Sequence, residues 1–251
     1  MPTILKAQDF VNKILDISNN KKTYYILGCF GAPMNEKNRK RYTSNNDYNR
    51  SRARLINALT PDTFGFDCVC LIKSVLWGFN GDKNKTYGGA TYCSNGVPDV
   101  GADAMMNTYC RNVSRDFSNI KVGEAVWLSG HIGVYIGDGL AVECTPKWAN
   151  KVQITAVGNI GSKKGYNTRT WVKHGELPWI DYSSSVNGTA LPKKDDSIIE
   201  YIVKPNDNLW SISKKFLGDG KRYGEIVALN NLKSTTIIPN QKLKIKVKGD
   251  K

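Results

Sequence analysis

Nowhere among the 251 residues do apolar side chains run for the roughly 18–20 positions needed to cross a bilayer. The opening Met1-Pro2-Thr3-Ile4-Leu5-Lys6 has no basic stretch leading into an apolar one, so neither export nor a membrane anchor is expected from it. Histidine is scarce. His131 and His174 are the two in the chain, and any Cys/His chemistry has to use one of them. The six cysteines, Cys29, Cys68, Cys70, Cys93, Cys110 and Cys144, include no Cys-x-x-Cys pair. That spacing argues against a structural zinc site, and free thiols are expected in preference to three disulfides. No metal and no cofactor is expected.

Acidic residues are also few, 22 against 36 Lys and Arg, which leaves a formal net charge of +14. The excess is spread along the chain, with +6 on residues 193–251 and +8 on the rest. Such a surface fits nucleic acid, an acidic membrane surface or the anionic wall of a Gram-positive bacterium, and charge alone does not choose among them. With 40% hydrophobic and 23% charged residues, wholesale disorder and fibrous repeats are excluded. The length suits one large or two small domains.

Residues 183–198 are poor in large apolar side chains and rich in turn formers, which reads as a linker. It separates a domain at 1–182 from a small one at 199–247. In the first, Phe10, Val11, Ile14 and Leu15 recur at helical spacing between Ala7 and Ser18. A short apolar run, Tyr24 to Gly28, follows. The polar, basic stretch 30–65 reads as a solvated insertion with one helix at Ser51–Ala58. Apolar residues between Cys68 and Phe79 predict a helix buried on more than one side. Strands are predicted at Glu124–Ser129, His131–Ile136, Leu140–Cys144 and Val152–Val157. A helix followed by an antiparallel sheet is α+β.

Cysteine as a nucleophile needs a stabilised thiolate, and a helix N-terminus supplies partial positive charge and unpaired N–H groups. Cys68 sits where such a helix begins, Asp67 before it is a candidate N-cap, and the peptide N–H groups there are candidates for an oxyanion hole. Cys70 lies about 200° further round the helix and belongs to the core instead. His131, Gly133 and Tyr135 face away from the apolar side of their strand. An odd-numbered loop such as Gly137-Asp138-Gly139 pairs Ile136 with Leu140 and Gly133 with Glu143. His131 and Glu143 then lie diagonally on one face, where the carboxylate can hold the imidazole. A two-residue loop places them on opposite faces and removes Glu143 from the site.

Phe66-Asp67-Cys68-Val69-Cys70-Leu71-Ile72 resembles the F-D-C-S-G-L-V signature of NlpC-type papain-like cysteine peptidases, and His131 to Gly139 resembles their H-V-G-I-Y-I-G-D-G strand and turn. Tyr25-Ile26-Leu27-Gly28-Cys29 is similar to the family's Y-V-W-G-G segment, whose tyrosine lies near the nucleophile. The resemblance implies a papain-like fold with a central antiparallel sheet, cleavage of peptide bonds in bacterial cell-wall stems, Cys68, His131 and Glu143 as catalytic residues, and support from Tyr25 and Asp67. Val69 and Cys70 depart from the usual Ser-Gly. Glu143 stands where that family commonly has histidine, closer to the related cysteine/histidine-dependent amidohydrolase/peptidase (CHAP) class. His174 lies outside these motifs and reads as structural.

From Tyr201 onward the order is strand, helix, helix, strand. Y-x-V, D-x-L-W-x-I and I-P-x-Q-x-L-x-I occur in sequence. This segment resembles a LysM domain, which implies a βααβ module binding N-acetylglucosamine units of peptidoglycan or chitin between two loops. Those loops map to Asn206, Asp207, Asn208 and Leu209, and to Thr236, Ile237, Ile238 and Pro239.

Together these features lead to the expectation of a phage or prophage endolysin, held in the host cytoplasm until a holin opens the membrane. Its activity is expected on a stem-peptide bond of the γ-D-glutamyl-diaminopimelate type. An N-acetylmuramoyl-L-alanine amidase is the first alternative and a non-catalytic wall-binding or phage-structural protein the second. The expected partners are the stem peptide, the glycan and the anionic Gram-positive wall, with no nucleic acid and no membrane insertion.

Overall fold

Phe10, Val11, Ile14 and Ile17 put one apolar stripe on the helix Ala7–Asn20, and all four are buried. The structure is a computed structural model that describes residues 4–183, 197–204, 207–232, 234–239 and 241–247. The chain divides into two compact units, Met1–Ala190 and Leu191–Lys251. The linker expected at 183–198 lies outside the described residues, apart from Ser183, Ser197 and Ile198.

In the first unit the helix Cys68–Leu76 is buried along its whole length. It packs against the first helix and against strands His131–Gly137 and Leu140–Thr145. Those strands belong to a seven-stranded sheet ordered Thr168–Arg169, Lys151–Val157, Leu140–Thr145, His131–Gly137, Ala125–Leu128, Lys173–Glu176 and Arg111–Ser114. Neighbours run antiparallel except at one edge, where Thr168–Arg169 lies parallel to Ala156 and Val157. The sheet follows the Val/Ile-rich alternation of residues 125–157, which suits a pleated surface with a helix on one face. The unit is therefore mixed α+β.

A second, three-stranded sheet brings the segment 23–33 to the start of the buried helix. Thr23–Tyr25 runs parallel to Phe64–Phe66, and Phe30–Pro33 pairs antiparallel with the same strand. Tyr25 lies opposite Phe66, two residues before Cys68.

Between these strands the reading of a solvated loop with one helix needs correction. Residues 34–60 hold three helices, Glu36–Asn45, Asp47–Ser51 and Ala53–Asn57. Asn35 and Asn46 cap the first two by accepting from the N–H groups of Asn38 and Asn49. Few apolar side chains anchor the segment, so no helical stripe marks it, and buried polar groups do part of the work. Asn38 donates to Pro33 O at 2.7 Å. Asn49, with 0% exposure, both donates to Leu27 O (2.9 Å) and accepts from Leu27 N (3.1 Å). Tyr42 and Ile56 pack with Ile26, Cys29, Ala32 and Met34 in a small core of their own.

In the second unit Ser197–Ile202 pairs antiparallel with Lys242–Val247, and the helices Leu209–Leu217 and Tyr223–Leu229 lie between them in sequence. Val203, Leu209, Ile212, Leu217, Ile226, Leu243 and Ile245 form its core. Asn208 and Ser211 make a reciprocal cap at the first helix, and Gly218 at φ 80° closes it in a left-handed turn that a side chain disfavours.

Candidate functional site

The helix at Cys68 starts on a buried carboxylate. Asp67 accepts hydrogen bonds from Cys70 N and from Gly28 N, each at 2.7 Å, and so ties the 26–29 turn to the helix end. The Cys68 side chain is 8% exposed. Burial, and then the Asp67 carboxylate, push the Cys68 thiol up to about 12, more than the N–H groups of Ile132, Val69 and its own backbone draw it down. The resting group is a neutral thiol. Tyr25 is also neutral, its phenol raised first by burial and then by Cys68 and Asp67. Cys70 is buried in the core, and all six cysteines are free thiols.

His131 Nε2 lies 2.7 Å from Glu143 Oε2. Gly133 pairs with Glu143, so His131 reaches its carboxylate along the diagonal of one sheet face. The loop that permits this differs from both alternatives read from the sequence. Its closing pair is Gly137 with Leu140, leaving Asp138 and Gly139 (φ 50° and 68°) as a two-residue turn. A bulge between Tyr135 and Gly137 adds one residue to the first strand and restores the face that a two-residue turn alone would have lost.

Glu143 is fully buried and has further partners that sequence reasoning missed. Thr155 donates to Oε1 at 2.7 Å, and Arg169 Nε lies 2.8 Å from each carboxylate oxygen. Burial works to raise the Glu143 carboxyl, but hydrogen bonds from His131 and Arg169, with the Arg169 charge beside it, outweigh burial and hold it below the usual range. The Trp171 ring stacks on His131 at 5.6 Å and 9°. A Cβ on Gly133 would meet Val142 O at 2.9 Å and the Trp171 ring at 3.1 Å, so only a bare position lets the indole lie there. Thr155 could have been found from strand alternation once the 140–145 and 151–157 strands were paired. Arg169 and Trp171 carry no motif or spacing that marks them.

His174 is remote from these residues in the hydrogen-bond network. Buried at 3% exposure, it bonds Glu124 through Nδ1 and Asp116 O through Nε2 at 2.9 Å. Among the described residues no group of His, Cys, Asp and Glu is arranged to hold a metal ion.

In the second unit, Asp207 accepts from Tyr201 Oη at 2.7 Å and Lys204 N at 2.8 Å, which hold its carboxyl low. Asn208 is occupied as the helix cap. Leu209, placed by sequence on the glycan loop, has its side chain 3% exposed in the core and offers that loop its backbone. Asn206 lies outside the described residues. On the second loop Thr236, Ile238 and Pro239 are exposed, and Ile237 packs partly on the core.

No curated protein matches the chain. Residues 201–246, spanning the strand–helix–helix–strand unit, match the family model of the LysM domain, a domain type that binds peptidoglycan and chitin-like glycans, so this part of the chain is a LysM domain.

Proposed function

We propose that Cys68, His131 and Glu143 form the thiol site of a cell-wall hydrolase, papain-like in fold and NlpC-type in chemistry, that cuts the γ-D-glutamyl-diaminopimelate bond of peptidoglycan stems. The observation that carries this reading is a cysteine at the start of a buried helix that packs against the strand His131–Gly137, whose His131 has its Nε2 bound to a buried carboxylate. With Nε2–H donated to Glu143, Nδ1 keeps the lone pair that takes the thiol proton. Because the thiol is neutral at rest, that transfer accompanies attack of sulfur on the amide carbonyl. The oxyanion accepts backbone N–H groups at the helix start. His131 then protonates the leaving amine, and a water deprotonated by His131 hydrolyses the acyl-enzyme. The LysM domain raises the local concentration of site and substrate on the wall. A phage or prophage endolysin, kept in the host cytoplasm until a holin releases it, is the setting that fits this activity.

The test is digestion of purified Gram-positive peptidoglycan with Cys68→Ala as control, and mass spectrometry of the new ends. Free D-glutamate carboxyl and diaminopimelate amino ends support the endopeptidase. Intact stems bearing free L-alanine amines make it an amidase instead. A second reading, a non-catalytic wall-binding or phage-structural protein, is favoured by the depth of Cys68 and its raised thiol. Absence of any Cys68-dependent product on several wall types would establish that reading.

A further inference from the structure

Arg169 sits in a column of stacked groups. Its guanidinium carbon lies 4.9 Å from the Trp148 ring centroid and 5.5 Å from that of Trp171, and Trp171 in turn stacks with His131. Trp148 holds a left-handed backbone (φ 62°), uncommon for a bulky residue, and keeps 37% exposure over the guanidinium. Trp171 Nε1 is buried with no hydrogen-bond partner among the described residues, so stacking rather than hydrogen bonding sets that ring. From this clamp Arg169 directs Nε at Glu143 and a terminal nitrogen toward Thr145 Oγ1 at 3.4 Å.

We propose that Arg169 is a positioning residue of the site, a guanidinium clamped between Trp148 and Trp171 that fixes the Glu143 carboxylate and offsets its charge, so that His131 faces a compensated pair. The proposal rests on the reading of Cys68, His131 and Glu143 as the hydrolytic triad. Of the charged and titratable groups around His131, Glu143 on the neighbouring strand touches the imidazole and Arg169 at the sheet edge touches Glu143, while Asp103 accepts from Gly130 N at 2.8 Å and the helix that starts at Cys68 after Asp67 packs against the His131 strand. Against the Glu143 carboxylate that His131 meets stands the charge of Arg169. Removing it leaves His131 beside a bare buried carboxylate, which holds the imidazole proton more tightly and keeps His131 from serving as a base near neutral pH.

The experiment titrates the histidine ring signals of the full chain by NMR, with His131→Gln as the assignment control. In Arg169→Met the His131 midpoint is expected to rise by about one pH unit, and in Arg169→Lys, which keeps the charge, to stay close to that of the parent protein. If the methionine variant does not fold, Arg169→Gln, whose amide can still donate to Glu143, carries the test. The acid limb of peptidoglycan hydrolysis moves upward with the midpoint. An unchanged midpoint in a folded charge-removing variant overturns the role of Arg169. The titration needs no substrate, so it is decided separately from the hydrolase reading: a protein that cuts no wall bond and still shows the rise retains the Arg169 pairing, and Cys68-dependent hydrolysis with no rise retains only the hydrolase.

Discussion

His131 and Glu143 stand on one face of adjacent strands with Nε2 and Oε2 2.7 Å apart, although a turn of two residues joins those strands. The bulge after Tyr135 supplies the compensating residue. Sequence alone presented a choice of loop length, and a rule of odd or even count decided between a site and no site. The protein uses the even turn and keeps the site.

Cys68→Ala is expected to abolish hydrolysis and leave wall binding intact, because the LysM domain at residues 201–246 does not include it. Cys70→Ala is expected to keep activity, at a stability cost on the order of 1 kcal/mol for the small buried volume lost. Pull-down on purified peptidoglycan and a turbidity assay measure the two properties. Full lysis by Cys68→Ala would end the hydrolase reading.

Glu143 makes stability depend on acid. Its folded carboxyl lies below the ordinary value of 4.5, so its contribution is complete above that value and is lost as pH falls through the folded one. Melting temperatures taken across about pH 3 to 6 should fall more steeply for the parent protein than for Glu143→Gln. Parallel curves would mean that the carboxylate gains nothing from His131 and Arg169 on folding.

His174 behaves in the opposite sense. Burial works to lower it, but the bonds to Glu124 and to Asp116 O outweigh this and raise it above 6.5. Its contribution is complete below that value and is lost as pH rises through the folded one. Relative to His174→Gln, the parent protein should lose stability as the buffer is taken from about pH 6 to 9, read by denaturant melts. A constant difference between the two proteins would show that His174 is neutral in the fold.

Asn49→Ala removes both partners of the Leu27 backbone at once, leaving one N–H and one C=O without their bonds. A cost of about 2–4 kcal/mol is expected, with faster amide exchange at residues 26–29. Retention of parent exchange rates there would show that the asparagine is not what holds the turn.

In the LysM domain, Leu209→Ala is expected to destabilise by about 2–5 kcal/mol, since the side chain is a core member. Ile238→Ala, at 65% exposure, should leave the melt unchanged and weaken binding to N-acetylglucosamine oligomers. Calorimetry on the full chain separates the two effects, and an Ile238→Ala protein with parent affinity would take that loop out of the glycan site.

The parts of this chain that could be read from sequence are those with a strong period or a local chemical signal. The alternation of residues 131–157 gave the strands to within a residue or two, and Asp67 before an apolar run marked the helix start that carries Cys68. What escaped depends on contacts far apart in sequence. The helices of 34–60 are held by Asn38 and Asn49 bonding to backbone elsewhere, which leaves no apolar stripe to detect. Arg169 reaches Glu143 across 26 residues and the intervening strand Lys151–Val157, and no local pattern encodes such a meeting.

Pro33 and Phe64 are register partners, so the chain departs for residues 34–63 and returns to the same rung of the sheet. Such an excursion is interchangeable in principle, because closing a longer or shorter span between fixed ends changes the chain entropy only slowly with length. What it delivers is a rim: Tyr48, edge-on to Tyr25 at 6.0 Å, and Arg52, whose guanidinium bonds Tyr25 O at 3.2 Å and Asn150 Oδ1 at 2.7 Å. Changing the Tyr48 and Arg52 rim while keeping Tyr42, Asn49 and Ile56, which anchor the excursion to residues 26–34, therefore offers a way to alter what surrounds Tyr25 without moving its strand.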